Sequence, residues 1–509
     1  MLFFKRLNKK NMFIRVLFFY ALIFCLQPTY GKASFNMNEE CLKAQSLIYG
    51  LKFDEAEKIL HNEAIVNHEN IAVNWLSESI IFLKIFISED KDLYTLNEKH
   101  WNTLIEKTRK VDFNNAWYRF VLSDMYIHKG LIKLKFNETF SAGSDLKTAY
   151  KYLKENRKMF PSFLPDNKNY GLLACAFSSV PAKYQWLAKI IGFQGDMNTG
   201  LKEIEDYLNS TLTVKEHEWL RVETAFIYAL VQHHLNKNTE IAWKTIEPHT
   251  RNYKHNLLLN YMRATIAGYA GRNDEMIDIL SQKPPYSVNN PFYYMDFLLG
   301  LAKMRRLDTD ADIHFKIFTV KYKGKNYVKS AYRNLSWLSL IKNDRATALT
   351  YYSLCTKNGV AIIEEDKQAE REALENILWP ADLIRARLLF DGKYYDKSMT
   401  LLNTVKESSL ENLRFKLEFN YRKARIYHEK LDYGHAIPIY LHVMEAGKNQ
   451  GYYFAAYSAL QLGFIYEKQG KKDLAITYFK KAKDDFDKNL EYNNSIEQKA
   501  KAGLKRLEK

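Results

Sequence analysis

Arginine and aromatic residues recur in the second half of this 509-residue chain at positions that would suit an anion-binding groove. A guanidinium group donates paired hydrogen bonds to a carboxylate, and neighbouring rings add stacking surface. An acidic peptide or a free carboxyl terminus is therefore the ligand that these residue types favour. A repeated helical pattern, described below, places the following residues on one concave face: Tyr293, Asp296, Arg333, Trp337, Arg387, Tyr421, Arg425 and Tyr457. The alternative is that these side chains pack between neighbouring repeats.

Two other groups of residues have suitable types but lack the spacing of a phosphate or metal site. The glycines between Gly192 and Gly200 are not followed by the Gly-Lys-Ser/Thr of a phosphate loop, and no strand precedes them, so they predict a helix–helix turn. His217 is not part of a His-Glu-x-x-His motif, and His233 and His234 are adjacent, so they face different directions on a helix. The sequence therefore predicts no metal and no cofactor.

Runs of acidic residues also fail to indicate an enzyme. Glu39–Glu40, 364–366 and Asp484–Asp485 could be paired catalytic carboxylates, but nothing places them in a shared apolar pocket that would separate their pKa values. They are interpreted as solvated faces. No Gly-x-Ser-x-Gly elbow or Cys/His nucleophile signature occurs, and we expect a protein without catalytic activity.

Residues 1–33 have the order of a secretory signal peptide. Basic residues up to Arg15 precede an apolar run at 16–26, and Pro28 and small residues follow. This run of 11 residues is too short to span a bilayer, which needs about 20. The pattern predicts an exported protein, periplasmic or associated with the cell envelope, without a membrane span after removal of the signal. The alternative is a buried N-terminal helix.

Composition favours a helical, folded chain. Only 10 prolines and 20 glycines occur, fewer than a turn-rich β protein needs. Six of the 16 net positive charges lie in residues 1–33, which leaves +10 for the rest. This charge is interpreted as a lysine-rich solvated surface, and no nucleic-acid partner is expected. The three cysteines after residue 33 are far apart and predict buried apolar side chains rather than disulfides.

Internal repeats give the clearest structural prediction. Between 455 and 482, Gly463 and Ala475 are small enough for two antiparallel helices to approach closely, and Tyr466 and Phe479 fill the space beside that contact. This spacing matches the tetratricopeptide-repeat (TPR) signature. The template recurs upstream with small residues at Ala311, Ala348, Ser398, Ala436 and Ala475, separated by 37, 50, 38 and 39 residues. The 50-residue step contains 364–366, for which we expect a longer helix or loop.

These patterns predict an all-α, TPR-like solenoid of antiparallel helix pairs. Residues 291–509 form the TPR solenoid, and residues 34–290 form a divergent helical-repeat region, since 65–290 matches the template poorly despite its helical periodicity.

Degenerate repeats behind a signal peptide resemble the secreted TPR proteins of Bacteroidetes-type bacteria. The middle segment, from Tyr170-Gly171 through Pro181, Trp186 and 191–201 to Pro291 and 292–308, is similar to a TPR family that includes a yeast inclusion-body clearance protein. The resemblance covers about half of the chain and implies a structural segment without catalytic residues. The signal peptide departs from that family, so its cellular roles are not carried over.

The sequence thus predicts a non-enzymatic adaptor or scaffold that binds a protein or peptide in its concave groove. A glycan- or nutrient-binding protein of an outer-membrane uptake system is the alternative that the aromatic content suggests. A third possibility is an enzyme site within 65–290. The identity of the partner and the oligomeric state are not encoded in any motif.

Overall fold

The computed structural model describes residues 34–110, 114–178, 192, 196–487 and 490–507. The signal peptide predicted at 1–33 lies outside these residues, as does most of the glycine-containing turn after 191. Within the described residues the chain is all-α, and an isolated bridge between Ser34 and Asn70 is the only β pairing.

The described part of the chain contains 24 α-helices and three short 3-10 segments. The first twelve helices are α1 (Glu39–Tyr49), α2 (Phe53–Val66), α3 (Ile71–Ser88), α4 (Lys91–Arg109), α5 (Ala116–Lys135), α6 (Thr139–Met159), α7 (Asp166–Ser178), α8 (Met197–Ser210), α9 (Arg221–His234), α10 (Thr239–His249), α11 (Leu257–Tyr269) and α12 (Asn273–Ser281). The other twelve are α13 (Tyr294–Arg306), α14 (Ala311–Lys321), α15 (Val328–Ile341), α16 (Arg345–Lys357), α17 (Glu364–Leu374), α18 (Ala381–Asp391), α19 (Tyr395–Thr404), α20 (Leu413–Glu429), α21 (Tyr433–Ala446), α22 (Phe454–Lys468), α23 (Lys472–Asp484) and α24 (Asn493–Leu507).

Helices pack in consecutive pairs, which confirms the predicted all-α solenoid. The first helix of each pair, called the inner helix here, also contacts the first helix of the next pair: α18 contacts α20, α20 contacts α22, and α22 contacts α24. Several inner helices begin at an asparagine whose side chain accepts a backbone N–H of the first turn, which satisfies a donor that the helix leaves unpaired. These caps are Asn38, Asn70, Asn115, Asn256 and Asn412.

Small residues set the distance within a pair, as the sequence pattern predicts. A Cβ atom added to Gly463 in α22 would lie 2.6 Å from the ring of Phe479 in α23. In the pair α18–α19, Ser398 is fully buried and donates a 2.7 Å hydrogen bond to the carbonyl oxygen of Ala386. The two helices therefore approach closely enough for direct contact between side chain and backbone.

One turn geometry recurs in both halves of the array. Between the two helices of a pair, a single residue has a positive φ in the left-handed region, which reverses the chain within two to four residues. The turn residues are Leu51, Glu89, Asn137, Lys237, Gly271, Leu307, Asn343, Lys393, Leu431 and Gly470. Only two of these ten are glycine. The shared turn extends the repeat architecture into residues whose sequence matches the template poorly.

The 50-residue step between Ala348 and Ser398 is explained by an additional helix, α17, which packs on α15 and α16. Its acidic start is not wholly a solvated face, and that interpretation of 364–366 is wrong for Asp366. This side chain is fully buried and accepts the backbone N–H groups of Tyr327 at 2.6 Å and Ser330 at 2.8 Å, at the start of α15. Burial raises the pKa of Asp366 to about 6, although these hydrogen bonds oppose the shift.

The predicted boundary at 290/291 marks a change in sequence pattern. Helices on its two sides are in contact, since α12 packs against α13 and α11 also contacts α13. The division into a divergent region and a TPR region remains a prediction from sequence.

Helix α3 is the only described helix that is long and apolar enough to cross a membrane by length and composition. More than half of it, 56%, is buried inside the array, including Trp75 and Ile80. Packing against α1, α4 and α5 accounts for its apolar character.

Candidate anion-binding pocket

The inner helices α18, α20 and α22, together with α24, form the walls of a pocket near the end of the array. Each of the first three has a small buried residue facing its partner helix: Ala386, Ala424 and Gly463. The next residue along each helix points into the pocket, and these residues are Arg387, Arg425 and Phe464. The repeat therefore carries one equivalent position from helix to helix along the inner surface.

The pocket has a volume of about 460 Å³. Cationic and aromatic side chains dominate its lining. The lining residues are Lys237, Arg387, Phe390, Asp391, Tyr421, Arg422, Arg425, Tyr453, Tyr457, Gln461, Phe464, Tyr492 and Lys499.

Two of the arginines are neutralised by carboxylates on their own helix. Arg422 donates to Oε1 of Glu418 from Nε at 2.9 Å and from Nη2 at 2.7 Å, and both side chains are buried. Arg425 donates from Nη2 to Glu429 at 2.9 Å. The Nε atom of Arg425 is buried and meets no acceptor among the described residues. The charges of these two arginines are thus balanced by Glu418 and Glu429, but one buried donor of the pocket-lining Arg425 has no acceptor among the described residues.

Three further cations have no such partner. Within the described part of the chain, neither Arg387 nor Lys237 nor Lys499 forms an ion pair with a carboxylate. Lys499 donates a 3.3 Å hydrogen bond to the hydroxyl of Tyr457, and Lys237 donates to the carbonyl oxygen of His234. Burial, and then the like charge of Lys499, lower the pKa of Lys237. Burial also lowers the pKa of Lys499, and Arg425 adds to the effect. The pocket therefore concentrates positive charge that its own residues do not neutralise.

One further cation, Arg333, adjoins the pocket, where it shares the ring of Trp337 with Arg387. The guanidinium carbons of Arg333 and Arg387 lie 4.7 Å and 4.9 Å from the centre of the indole ring. The indole N–H donates to Glu372, which also accepts a 2.9 Å hydrogen bond from the hydroxyl of Tyr352, so the ring is fixed. The Nε atom of Arg333 is buried without an acceptor among the described residues. Two guanidinium groups thus share one ring, each a cation–π contact.

Tyrosines form most of the remaining wall. Tyr453 lies at the centre of this group and contacts Tyr421, Tyr457 and Tyr492 edge-on, with ring centres 5.8, 5.6 and 5.3 Å apart. Its hydroxyl donates a 3.1 Å hydrogen bond to Oε2 of Glu418. Burial, followed by the charge of Glu418, raises the pKa of Tyr453 well above its usual range, so this wall is neutral at physiological pH.

Helix α24 is fixed to the array by an ion-pair bridge. Arg414 at the start of α20 pairs with Glu375 at 2.5 Å and with Glu491, and its guanidinium lies over Tyr452, 4.6 Å from the ring centre. Glu491 immediately precedes Tyr492, so this bridge holds the turn that presents Tyr492 to the pocket.

The structure brings together half of the residues that the sequence predicts for the groove. Arg387, Tyr421, Arg425 and Tyr457 line the pocket, and Arg333 and Trp337 adjoin it through Arg387.

The other two predicted residues, Tyr293 and Asp296, do not line it. Asp296 is 4% exposed and accepts a 2.8 Å hydrogen bond from the hydroxyl of Tyr286, with Lys283 at 3.6 Å. Tyr293 packs edge-on against Tyr286, with ring centres 5.7 Å apart. These two residues attach the 283–286 segment to α13.

Helical periodicity could have identified more of the lining. Positions 453, 457, 461 and 464 follow one face of α22, and 421, 422 and 425 follow one face of α20. Sequence reasoning placed one or two positions per helix and missed the rest of each face. Lys237 and Lys499 had no comparable signal, because they come from a distant turn and from the last helix.

The histidines and cysteines that the structure describes do not cluster as metal ligands. No group of three or more His, Cys, Asp or Glu side chains in the described ranges is placed to hold a metal ion. His233 stacks on Tyr269, with ring centres 4.1 Å apart. The three cysteines that the structure describes are buried and unpaired, which confirms their prediction as apolar core side chains.

Comparison with known proteins assigns this chain to no family. Its sequence matches no protein-family model. A search of curated proteins also finds no significant match.

Proposed function

We propose that the chain is a non-catalytic, TPR-type adaptor that binds an acidic protein segment in the pocket of its inner helices. The observation that carries this proposal is the set of cations without carboxylate partners, Arg387, Lys237 and Lys499, in a pocket walled by aromatic rings. Arg387 and Lys499 are partly buried, and a cation that is withdrawn from water is costly unless an anion compensates it, as a ligand carboxylate would. Aromatic walls give such a ligand apolar contact area.

The excess of cations also favours an acidic ligand over a neutral glycan. Sugar rings stack on exposed aromatic faces, whereas the tyrosines here meet one another edge-on, and Tyr421 and Tyr453 are buried. The hydroxyl groups of a neutral oligosaccharide could accept hydrogen bonds from Arg387 but would leave its charge uncompensated.

The proposal is tested by fluorescence anisotropy with the purified full chain. The probe is a labelled peptide of alternating glutamate and phenylalanine residues, and a peptide with lysine in place of glutamate is its counterpart. We expect Arg387→Gln to weaken binding of the acidic peptide about tenfold or more, since hydrogen bonds between charged groups are worth at least about 1.5 kcal/mol.

Arg385→Gln is the matched control, because this arginine is on the same helix but pairs with Asp382 at 2.8 Å and lies outside the pocket. Equal affinities for the acidic and basic peptides, or equal losses in the two variants, would refute the proposal. A neutral oligosaccharide that displaced the peptide would favour the glycan alternative.

Export is part of the proposed function and is supported by the charge and apolar order of residues 1–33. The intact mass of the protein isolated from its own cells tests it: loss of a segment close to residues 1–33 is expected, and a full-length mass would contradict it.

A further inference from the structure

We propose that the group bound in this pocket is a phosphate monoester on an aromatic body, so that the captured acidic segment carries an aryl phosphate. This inference rests on the proposed function and names its ligand more closely.

The first argument is charge. Five cations and one carboxylate, Asp391, line the pocket, and two more carboxylates, Glu418 and Glu429, pair with two of those cations. Two positive charges remain in excess. A single carboxylate would neutralise one of them, whereas a phosphate monoester carries about −1.5 to −2 at pH 7.

The second argument is the different directions from which the cations reach the pocket. The three cations without carboxylate partners come from three separate parts of the chain: Arg387 from α18, Lys237 from the turn after α9, and Lys499 from α24. A carboxylate offers two oxygens in one plane. The three terminal oxygens of a phosphate point in different directions and can accept from all three cations.

The third argument is space and polarity. A volume of about 460 Å³ is much larger than a phosphate needs and lies in the range of small-ligand pockets, about 300–1,000 Å³. Phe390, Phe464 and Tyr457 supply apolar walls for the rest of the ligand. A phenyl ring attached to the phosphate matches this division into a cationic and an aromatic part.

The experiment is calorimetric titration of the full chain with phenyl phosphate and, in parallel, with phenylacetate. Both probes carry one phenyl ring, but only phenyl phosphate is a dianion with three terminal oxygens. We expect phenyl phosphate to bind at least about tenfold more tightly, since one additional charge-assisted hydrogen bond is worth that factor. Equal affinities on the unaltered protein, or no heat from phenyl phosphate, would overturn the inference without reliance on any variant.

Lys499→Gln and Arg387→Gln should each reduce the affinity for phenyl phosphate about tenfold. Lys501→Gln is the control on the same helix, because Lys501 pairs with Glu497 and does not line the pocket. Circular dichroism melting is the check that each variant is folded. A folded Lys499→Gln protein with unchanged affinity would contradict the arrangement of three cations around one phosphate.

Two peptides separate this inference from the proposed function. One contains phosphotyrosine flanked by glutamates, and the other has the same sequence with unmodified tyrosine. Tighter binding of the phosphopeptide than of phenyl phosphate supports an aryl phosphate borne by a protein segment. Binding of phenyl phosphate alone supports the phosphate site but contradicts the adaptor. Equal binding of both peptides supports the adaptor and overturns the phosphate.

Discussion

A buried polar network joins the inner helices of the first half of the array. Lys168 is fully buried and pairs with Asp124 at 2.9 Å and with Glu223 at 2.5 Å. His128 pairs with Glu78 at 3.0 Å, and Glu78 is itself fully buried. Charges buried this deeply are tolerated because each has an oppositely charged partner.

The first prediction concerns the protonation of His128. Burial alone would lower its pKa, but the charges of Glu78 and Asp124 outweigh burial and raise the pKa to about 9. The folded state therefore holds a proton that the unfolded chain loses near pH 6.5. The resulting stabilisation is fully present below pH 6.5 and is lost as the pH rises through about 9. Urea unfolding at pH 7 and pH 9.5 should show a loss on the order of 2 kcal/mol.

His128→Gln is the matched variant for this prediction and should flatten the difference between the two pH values. Other perturbed histidines do not interfere. Burial lowers the pKa of His233 and of His428 to about 4, so both are neutral in folded and unfolded protein above pH 7. An equally steep pH dependence in His128→Gln would assign the effect to another group.

The second prediction concerns Lys168. Its replacement by methionine keeps the apolar length of the side chain but leaves Glu223 without its cation and Asp124 with only the more distant His128, at 3.7 Å. Breaking a buried ion pair in this way costs about 3–5 kcal/mol. We expect Lys168→Met to lower the free energy of unfolding by that amount in urea titrations, and the double variant with Asp124→Asn to recover part of it. A loss below about 1 kcal/mol, the value for an exposed pair, would show that water reaches the site.

At the scale of the helix pair, the recurring left-handed turn predicts a local cost for an added side chain. Gly470 has φ +72° and no atom within 4 Å of the position of an added Cβ atom, so alanine there strains only the backbone. Gly470→Ala should lower the free energy of unfolding by about 1 kcal/mol. Gly451→Ala is the control, because Gly451 has equal space without a positive φ, and its stability should not fall. Thermal or urea unfolding of the two variants measures whether the loss of stability is confined to the glycine with a positive φ.

The repeat was predictable where sequence and packing act over short distances. The pair α22–α23 follows directly from Gly463, Ala475 and Phe479, because small residues and one large ring determine how closely two adjacent helices pack. The turns gave no such signal in divergent or in matching pairs, because eight of the ten use a residue other than glycine in the left-handed region, including Asn137 in the divergent region and Lys393 in a matching pair. The geometry of these turns is maintained by the packing of the helix pair rather than by one residue type.

The pocket was predictable only in part, for a related reason. Arg387 and Arg425 occupy equivalent positions of neighbouring repeats, so a local template finds both. Lys237 and Lys499 are 262 positions apart, and only the curvature of the whole array places them in one pocket. Curvature results from many small rotations between pairs, which no short motif encodes.

At the scale of the whole molecule, curvature also creates contacts between distant turns of the array. Glu89, in the turn after α3, is 7% exposed and accepts a 2.8 Å hydrogen bond from Asn326, 237 positions away. It also pairs with Lys135 of α5. A second contact joins Asn289 to Asp54 at 2.7 Å, over 235 positions. A solenoid stabilised only by neighbouring pairs would lack such contacts, so they add a long-range component to its stability.

This contact gives the last prediction, at Glu89. Glu89→Ala removes the acceptor of Asn326 and leaves Lys135 without its carboxylate, so the turns should separate locally while each helix pair stays folded. We expect faster hydrogen exchange of backbone amides in 322–327 and a larger radius of gyration in solution scattering. Glu98→Ala on the exposed side of α4 is the control and should change neither quantity. Unchanged protection at 322–327 in Glu89→Ala would mean that the contacts of Glu89 do not set the curvature, which would then depend on packing between consecutive pairs and on the contact between Asn289 and Asp54. Lys237 and Lys499 would then meet through those pairwise rotations, and binding in the pocket would be insensitive to Glu89.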